Sequence, residues 1–471
     1  MCVDWWIVRK RATALAAAAP RRHLRNQQDG QWELADLGAA GILGLVELAL
    51  LAFVEYLGLP DPLHPPVPHS DNLKYLAMAH HPFGSDPLVH IGPFCWRVLT
   101  PWIVHLLAKA GLSLQNGFLL VTMVSLTGVA IGTYALVRFY GAARPGALTV
   151  ALLVQTQYAL TDQLLCLLVV IAFLLYELDQ PRWLVLVLAL GAMERETILI
   201  AVAAFAGEQI VRRDWQRLRT FCPAYIAPVG VLVVLHAFIH SSNRNILLAQ
   251  LLYFWDLRWT HGWSFAFAQI YALTVNSYGL LLPLLLLQVI HAPAVTCRPL
   301  VWLCLIATLT QILISGSNER LMIVAFPVFA MAAWFELRWI AERLELPPAA
   351  IGCFLVAVQI LFLVGQFYFI PADQGREPQW LHALWPWIMT TVAGAAVWAA
   401  FWVLGAGISR LYRRALDKVA GCFRCGRSAG AFVFSAASAM ISRIFARKER
   451  SFRAKMLSGA KLTETGEIAP D

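Results

Sequence analysis

The sequence predicts an all-α fold, a polytopic transmembrane helical bundle of about twelve spans. Apolar residues make up 59% of the 471 positions. Charged residues make up only 14%, against about 25% in an average soluble domain. The apolar residues are also gathered into long runs. Such runs are typical of membrane helices, because each span must satisfy its backbone hydrogen bonds internally.

The apolar runs define the bounds of the predicted spans. These are 37–59, 115–138, 146–160, 163–178, 183–195, 197–211, 221–239, 264–290, 300–316, 321–337, 350–370 and 384–408. After the first span, the stretch 98–111 is apolar but too short to cross a bilayer comfortably. We therefore expect a short surface helix there. Several of the spans are also short, which predicts segments that are buried among others.

The positive charge predicts the orientation of the bundle. With a cytoplasmic N-terminus, most of the 37 Lys and Arg residues fall in cytoplasmic segments, as the positive-inside rule requires. The chain then has a basic cytoplasmic arm at 1–36 and a transmembrane domain at 37–409, whose large first extracytoplasmic loop is 60–96. A basic cytoplasmic tail at 410–471 follows, with an amphipathic helix drawn to anionic lipid. We expect a multi-pass protein of a bacterial inner membrane, and the net charge of +9 does not indicate nucleic-acid binding.

Polar side chains gather at the extracytoplasmic ends of the predicted spans. Asp71 and Tyr75 lie in the first loop, and Arg97 precedes the surface helix. Three later turns contribute Asp162, then Glu194, Arg195 and Glu196, and finally Asn318, Glu319 and Arg320. Charged groups at this depth are costly unless they are paired or hydrated. We therefore expect these residues to line a polar cavity beneath the extracytoplasmic surface.

These residue types indicate transfer of a group from a lipid phosphate to an alcohol. The forked donors of arginine match phosphate oxygens. A carboxylate in a partly closed pocket, such as that of Asp71, can take a proton from a hydroxyl. The sequence has no Walker loop and no GxGxxG after a strand. Because nucleotide donors are scarce outside the cytoplasm, the simplest donor is a membrane lipid.

Four stretches of the chain resemble the GT-C superfamily of integral-membrane glycosyltransferases, which includes mannosyl- and arabinosyltransferase-like enzymes. The stretches are SDNLKYLAMA, PFCWRVLTPWIVHLLA, TDQLLCLLVVIAFLL with ALGAMERETILI, and NERLMIVAFPVFA, all within residues 37–337. The resemblance implies a polyprenyl-phosphate sugar donor and a glycan or lipid acceptor. It also implies that Asp71 is the general base that deprotonates the acceptor hydroxyl while the sugar inverts.

The chain departs from this family at one position of the first loop. Many members carry two adjacent acids there, whereas Asn72 follows Asp71 in this sequence. Two carboxylates hold a divalent cation better than one. Dependence on Mg²⁺ or Mn²⁺ is therefore left open, and so is catalytic activity itself.

Several candidate residues also have a purely structural interpretation. Asp71 stands at a predicted helix start, where the helix dipole favours a carboxylate. Tyr75 shares a helix face with Asp71, but tyrosine is also common at membrane boundaries. Asp162 is suited to capping the span that follows it. The remaining charged candidates can form structural ion pairs, in which Arg97, Arg195 or Arg320 joins Glu194, Glu196 or Glu319.

Five histidines lie between positions 64 and 90, and a metal site with Asp71 is conceivable. However, the adjacent His80 and His81 would point about 100° apart on a helix. We therefore predict no metal site in this loop.

Two other functions compete with a glycosyltransferase. Twelve spans are typical of many secondary transporters, although the two halves of the chain show no internal repeat. A non-catalytic scaffold of the same fold is the third interpretation. Replacing Asp71 by asparagine separates them, since only an enzyme would lose turnover while keeping lipid binding.

Overall fold

The computed structural model describes residues 34–56, 71–82, 87–90, 94–155, 163–239, 281–291, 298–315 and 324–369. All regular structure in these residues is helical. The helices are α1 (Leu34–Tyr56), α2 (Asp71–His80), α3 (Leu99–Lys109), α4 (Leu114–Phe139), α5 (Arg144–Gln155), α6 (Gln163–Glu177), α7 (Pro181–Glu194), α8 (Ile198–Val211), α9 (Trp215–Phe238), α10 (Leu281–His291), α11 (Pro299–Ser315), α12 (Phe326–Leu344) and α13 (Pro348–Phe369). Two 3-10 turns, Pro87–His90 and Phe94–Trp96, lie between α2 and α3.

Where the predicted apolar runs fall within the described residues, they correspond to helices. The short helix expected at 98–111 is α3, and a helix begins at Asp71 as expected. The last predicted span, 384–408, lies outside the described residues, as do residues 1–33 of the arm predicted at 1–36, residues 264–280 of the span predicted at 264–290, and the tail at 410–471.

Two helices are longer than the apolar runs indicate. The helix predicted from 221 begins at Trp215, because the Asp214 side chain caps it by accepting a hydrogen bond from the Arg217 N–H at 3.1 Å. The span predicted to end at 337 continues as a helix to Leu344. It ends where Glu345 adopts the left-handed conformation, with φ of 55°. Polar caps and chain reversals set these ends, and an apolar run does not contain that information.

Some of the described helices could cross a membrane. α4 and α9 are long and apolar enough by themselves, and α12 with the first part of α13 forms a pair bent by 118°. The described residues thus provide two such helices, or three if the bent pair is one span. Shorter apolar helices are Ala35–Val46, Arg144–Val154, Gln163–Glu177, Ile198–Val211 and Pro299–Thr308. The total of about twelve spans remains a prediction.

Small residues let α4 approach α6 closely. Gly128 and Gly132 are four residues apart and therefore share a face of α4. A Cβ atom built on Gly132 would lie 2.8 Å from Cγ1 of Val170, and one on Gly128 would lie 2.7 Å from Cδ1 of Leu167. This GxxxG spacing is the one by which membrane helices bring their backbones together.

α9 defines two ends of the described bundle. It packs along α7, and its 24 residues correspond to roughly 36 Å of helix. Residues near Arg97 contact the C-terminal end of α9, and we call this the Arg97 end. Residues near Arg298 lie close to its N-terminal end, and we call this the Arg298 end.

Candidate functional site

Two segments that are distant in the chain meet at the Arg97 end. The Val98 N–H donates a hydrogen bond to the Met193 carbonyl at 2.9 Å, so the start of α3 lies against the end of α7. The polar side chains of this junction form what we call the Arg97 cluster. Its members are Tyr75, Arg97, Thr100, Glu194, Arg195 and Glu196.

The strongest contact of the Arg97 cluster is a forked ion pair. Arg97 Nη2 lies 2.7 Å from Glu196 Oε1, and Arg97 Nε lies 3.3 Å from Glu196 Oε2. Burial opposes the charge on Arg97, but the Glu196 carboxylate outweighs it and raises the pKa of Arg97. Burial also opposes ionisation of Glu196, but the Arg97 charge outweighs it and lowers the pKa of Glu196. Both groups are therefore charged at neutral pH.

The side chains of Arg97 and Glu196 differ in their exposure to solvent. The Arg97 side chain is 7% exposed, whereas the Glu196 side chain is 37% exposed. Arg195, which lies between the two acids in the sequence, is only 4% exposed. The cluster thus holds two buried arginines behind a partly accessible carboxylate.

Glu194 has a different partner. Its carboxylate accepts hydrogen bonds from the Thr100 N–H at 3.0 Å and from the Thr100 hydroxyl at 2.9 Å. Thr100 lies in the first turn of α3, where Val98 at the N-cap position makes no side-chain cap. Glu194 therefore supplies the missing acceptor at the N-terminus of α3. In the part of the chain that the structure describes, it makes no ion pair.

Tyr75 connects the first-loop helix α2 to the cluster. Its hydroxyl lies within hydrogen-bonding reach of the Arg97 guanidinium and within the electrostatic range of Glu194 and Arg195. Burial raises the pKa of Tyr75, so the phenol is neutral at physiological pH.

An apolar contact holds α2 in this position. Met78 packs with Val98 and Leu235, all of which are less than a tenth exposed. The His105 ring nitrogen Nδ1 lies 2.8 Å from the Ala79 carbonyl oxygen. The helix that begins at Asp71 is therefore fixed to α3 and α9.

The end of α9 is also tied to the segment before Arg97. The Trp96 indole N–H donates to the Ile239 carbonyl at 3.2 Å. The same indole stacks on His236, with ring centroids 3.9 Å apart and planes 26° apart. These contacts fix the segment that carries Arg97 to the end of α9.

The structure places the predicted site residues as follows. It brings together Tyr75, Arg97, Glu194, Arg195 and Glu196, and it places Asp71 at the first position of α2. Asp162, Asn318, Glu319 and Arg320 lie outside the described residues. The ion pair between Arg97 and Glu196 agrees with the structural interpretation of these two residues, whereas Glu194 accepts hydrogen bonds from Thr100 instead. Their substrate-binding role remains a prediction.

A second group of polar side chains lies at the opposite end of the described bundle, at positions outside the predicted site. At the opposite end, Arg298 Nε and Nη2 bind the two carboxylate oxygens of Glu208 at 3.1 and 3.0 Å. Arg298 Nη1 donates to the Tyr140 hydroxyl at 2.6 Å and lies 2.8 Å from Glu177 Oε1. We call Tyr140, Glu177, Glu208 and Arg298 the Arg298 cluster.

Further ion pairs surround the Arg298 cluster. Arg212 Nη2 lies 3.0 Å from Glu208 Oε1. Arg217 Nη2 lies 2.7 Å from Asp179 Oδ1, and Arg144 Nε lies 3.2 Å from Asp36 Oδ1. Several arginines that membrane topology alone would explain are therefore paired with acids.

One signal in the sequence could have revealed the Arg298 cluster. Glu208 stands inside the apolar run ILIAVAAFAGEQIV, and its side chain is 1% exposed. A charged residue within such a run predicts a specific partner. The identity of that partner, 90 positions away, cannot be read from the run.

Within the described residues, no group of three or more His, Cys, Asp or Glu side chains is placed to hold a metal ion.

Comparison with known proteins found no relative of this chain. No protein-family model, no curated protein and no solved structure matches the chain. The function therefore has to be inferred from the contacts of the chain itself.

Proposed function

We propose that this protein is a glycosyltransferase that moves a sugar from a polyprenyl-phosphate donor to a hydroxyl of a glycan or lipid acceptor, with Asp71 as the general base. One observation carries the proposal. The helix that begins at Asp71 is fixed against a junction that holds two buried arginines. An acid suits removal of the acceptor proton, and arginines suit binding of the donor phosphate.

Helix geometry supports the position of the base. Asp71 precedes Tyr75 by four residues, which is about 6 Å along a helix, and the Tyr75 hydroxyl reaches Arg97. Asp71 also occupies the first turn of α2, where the helix dipole favours an ionised carboxylate. A carboxylate on a residue at this helix start is suited to accept the proton of an acceptor hydroxyl.

The two arginines support binding of the phosphate. Arg97 presents its guanidinium fork to the two oxygens of Glu196, and the same fork matches two oxygens of a phosphate. Glu196 is the exposed member of the pair, so an anion that approaches from solvent would compete with it. Arg195 and the sequence-predicted residues Asp162, Asn318, Glu319 and Arg320 complete the proposed substrate site.

The proposed setting is a bundle of about twelve spans in a bacterial inner membrane, with both termini in the cytoplasm. The apolar helices of the described part support a membrane protein. The Arg97 end would then face away from the cytoplasm. A membrane lipid is the donor most readily available there.

The experiment tests Asp71 in the full-length protein. Purified protein in lipid nanodiscs is incubated with bacterial lipid extract that contains radiolabelled lipid-linked sugar, and new glycosides are measured. Asp71→Asn is expected to reduce transfer by about 10²- to 10⁴-fold, since it removes the general base. Mass spectrometry is expected to find the same co-purifying polyprenyl-phosphate lipid with both proteins.

Asp179→Asn is the matched control. This residue is 63% exposed and pairs with Arg217 at the Arg298 end, so transfer is expected to stay unchanged. Equal transfer by Asp71→Asn and the unsubstituted protein would disprove the proposed base. Accumulation of a solute in sealed vesicles, without a new glycoside, would instead favour a transporter.

A further inference from the structure

The Arg298 cluster joins four separate parts of the bundle. Tyr140 follows α4, Glu177 ends α6, Glu208 lies in α8, and Arg298 directly precedes α11. Arg298 contacts all three of the other residues at distances between 2.6 and 3.1 Å. The Arg298 guanidinium therefore connects the four segments that meet at this end of the bundle.

The contacts of Arg298 are costly to break because the side chains are buried. The side chains of Arg298, Glu177 and Glu208 are 17%, 12% and 1% exposed. A buried carboxylate that loses its cation is strongly unfavourable in a helix bundle. Removing Arg298 would affect two carboxylates at once. The four segments therefore separate only if several charged groups become hydrated together.

A second set of contacts closes the surroundings of Arg298. The Tyr176 hydroxyl donates to Glu208 Oε2 at 2.9 Å. Arg217 donates to the Tyr176 carbonyl at 2.6 Å, and its guanidinium carbon lies 4.4 Å from the centre of the Tyr176 ring. α9 is thereby tied to the same end as α6 and α8.

The two ends of the bundle differ in this respect. At the Arg97 end, the carboxylate of the main ion pair is 37% exposed. At the Arg298 end, the central carboxylate of Glu208 is 1% exposed. Water can thus reach the carboxylate of the Arg97 pair directly, whereas the Glu208 carboxylate is enclosed by protein.

We propose that the Arg298 cluster keeps its end of the bundle closed to water, so that solutes and lipid headgroups reach the interior only from the Arg97 end. This inference goes beyond the proposed function and does not depend on it. Access to the interior is then from one end only, whereas a transporter must open its two ends alternately. Arg298 acts here as a positioning residue that holds the helix ends together.

Two buried cysteines allow each end to be monitored separately. Cys304 is 0% exposed and lies in α11, six residues after Arg298 and about 9 Å along the helix. Cys95 is 1% exposed and lies two residues before Arg97. Full-length protein in nanodiscs is treated with a water-soluble maleimide, and the labelling of each cysteine is read by peptide mass spectrometry.

Arg298→Gln is expected to increase the labelling rate of Cys304 by at least about tenfold, because water reaches the separated helix ends. Labelling of Cys95 is expected to stay unchanged. Arg338→Gln is the matched control, since it breaks an ion pair at 3.1 Å between side chains that are 55% and 67% exposed. It should alter neither cysteine.

Unchanged labelling of Cys304 in a monodisperse Arg298→Gln protein would overturn the proposal. A parallel increase at both cysteines would also overturn it, because the cluster would then stabilise the whole bundle rather than close one end. Tyr140→Phe removes a single hydroxyl and decides the matter if Arg298→Gln does not fold. A selective rise at Cys304 supports the proposal, and its absence counts against it.

Discussion

Arg97 holds both carboxylate oxygens of Glu196, at 2.7 and 3.3 Å, although 99 positions separate the two residues. This contact fixes the segment before α3 against the turn between α7 and α8. It also determines how the junction responds to acid, because the attraction exists only while Glu196 is ionised.

The first prediction concerns pH. The pKa of Glu196 in the folded protein lies below its ordinary value of 4.5. The pair therefore stabilises the fold fully above about pH 4.5, and this contribution is lost as the pH falls further through the lowered pKa. Thermal unfolding midpoints, measured between about pH 7 and about pH 3, should fall less steeply in Glu196→Gln than in the unsubstituted protein. Identical acid profiles would show that the pair contributes no stability.

The second prediction concerns the capping of α3. Glu194→Ala leaves the Thr100 N–H without its acceptor, so we expect a loss of about 1–2 kcal/mol in the free energy of unfolding. Glu194→Gln keeps an acceptor oxygen and should lose less. Denaturant titration in micelles measures both values.

Glu342→Ala serves as the control for the capping prediction. Glu342 is another helix acid, 67% exposed and paired only with its neighbour Arg338 in the described residues. We expect a change within about 0.5 kcal/mol. If Glu194→Ala were as mild as Glu342→Ala, Glu194 would not be the cap of α3.

The third prediction concerns the contact between α4 and α6. Gly132→Ala would place a methyl group 2.8 Å from Cγ1 of Val170, a β-branched side chain that cannot easily rotate away within a helix. We expect a loss of about 1–3 kcal/mol in the free energy of unfolding from this overpacking. Gly230→Ala is the control, because nothing lies within 4 Å of a Cβ atom there. That substitution should be neutral or stabilise by up to about 1 kcal/mol. Equal effects of the two substitutions would contradict the close approach of α4 and α6.

The sequence was sufficient to predict the helices of the described part but not their polar contacts. An apolar run predicts a helix such as α8 because burial of its side chains drives its formation. It does not reveal that Glu208 within that run binds Arg298, since such pairing depends on how distant helices pack. The order of the polar turns indicated that Arg97 and Glu196 lie at one end, whereas the forked contact between them required the folded chain.

The capping of α3 also has a consequence for the order of folding during synthesis. The Thr100 N–H donates to the carboxylate of Glu194, which is synthesised 94 positions later. The first turn of this early helix therefore stays incompletely bonded while the following hundred or so residues emerge. The first turn of α3 gains this acceptor only when residues 193–197 have been synthesised and have packed against it.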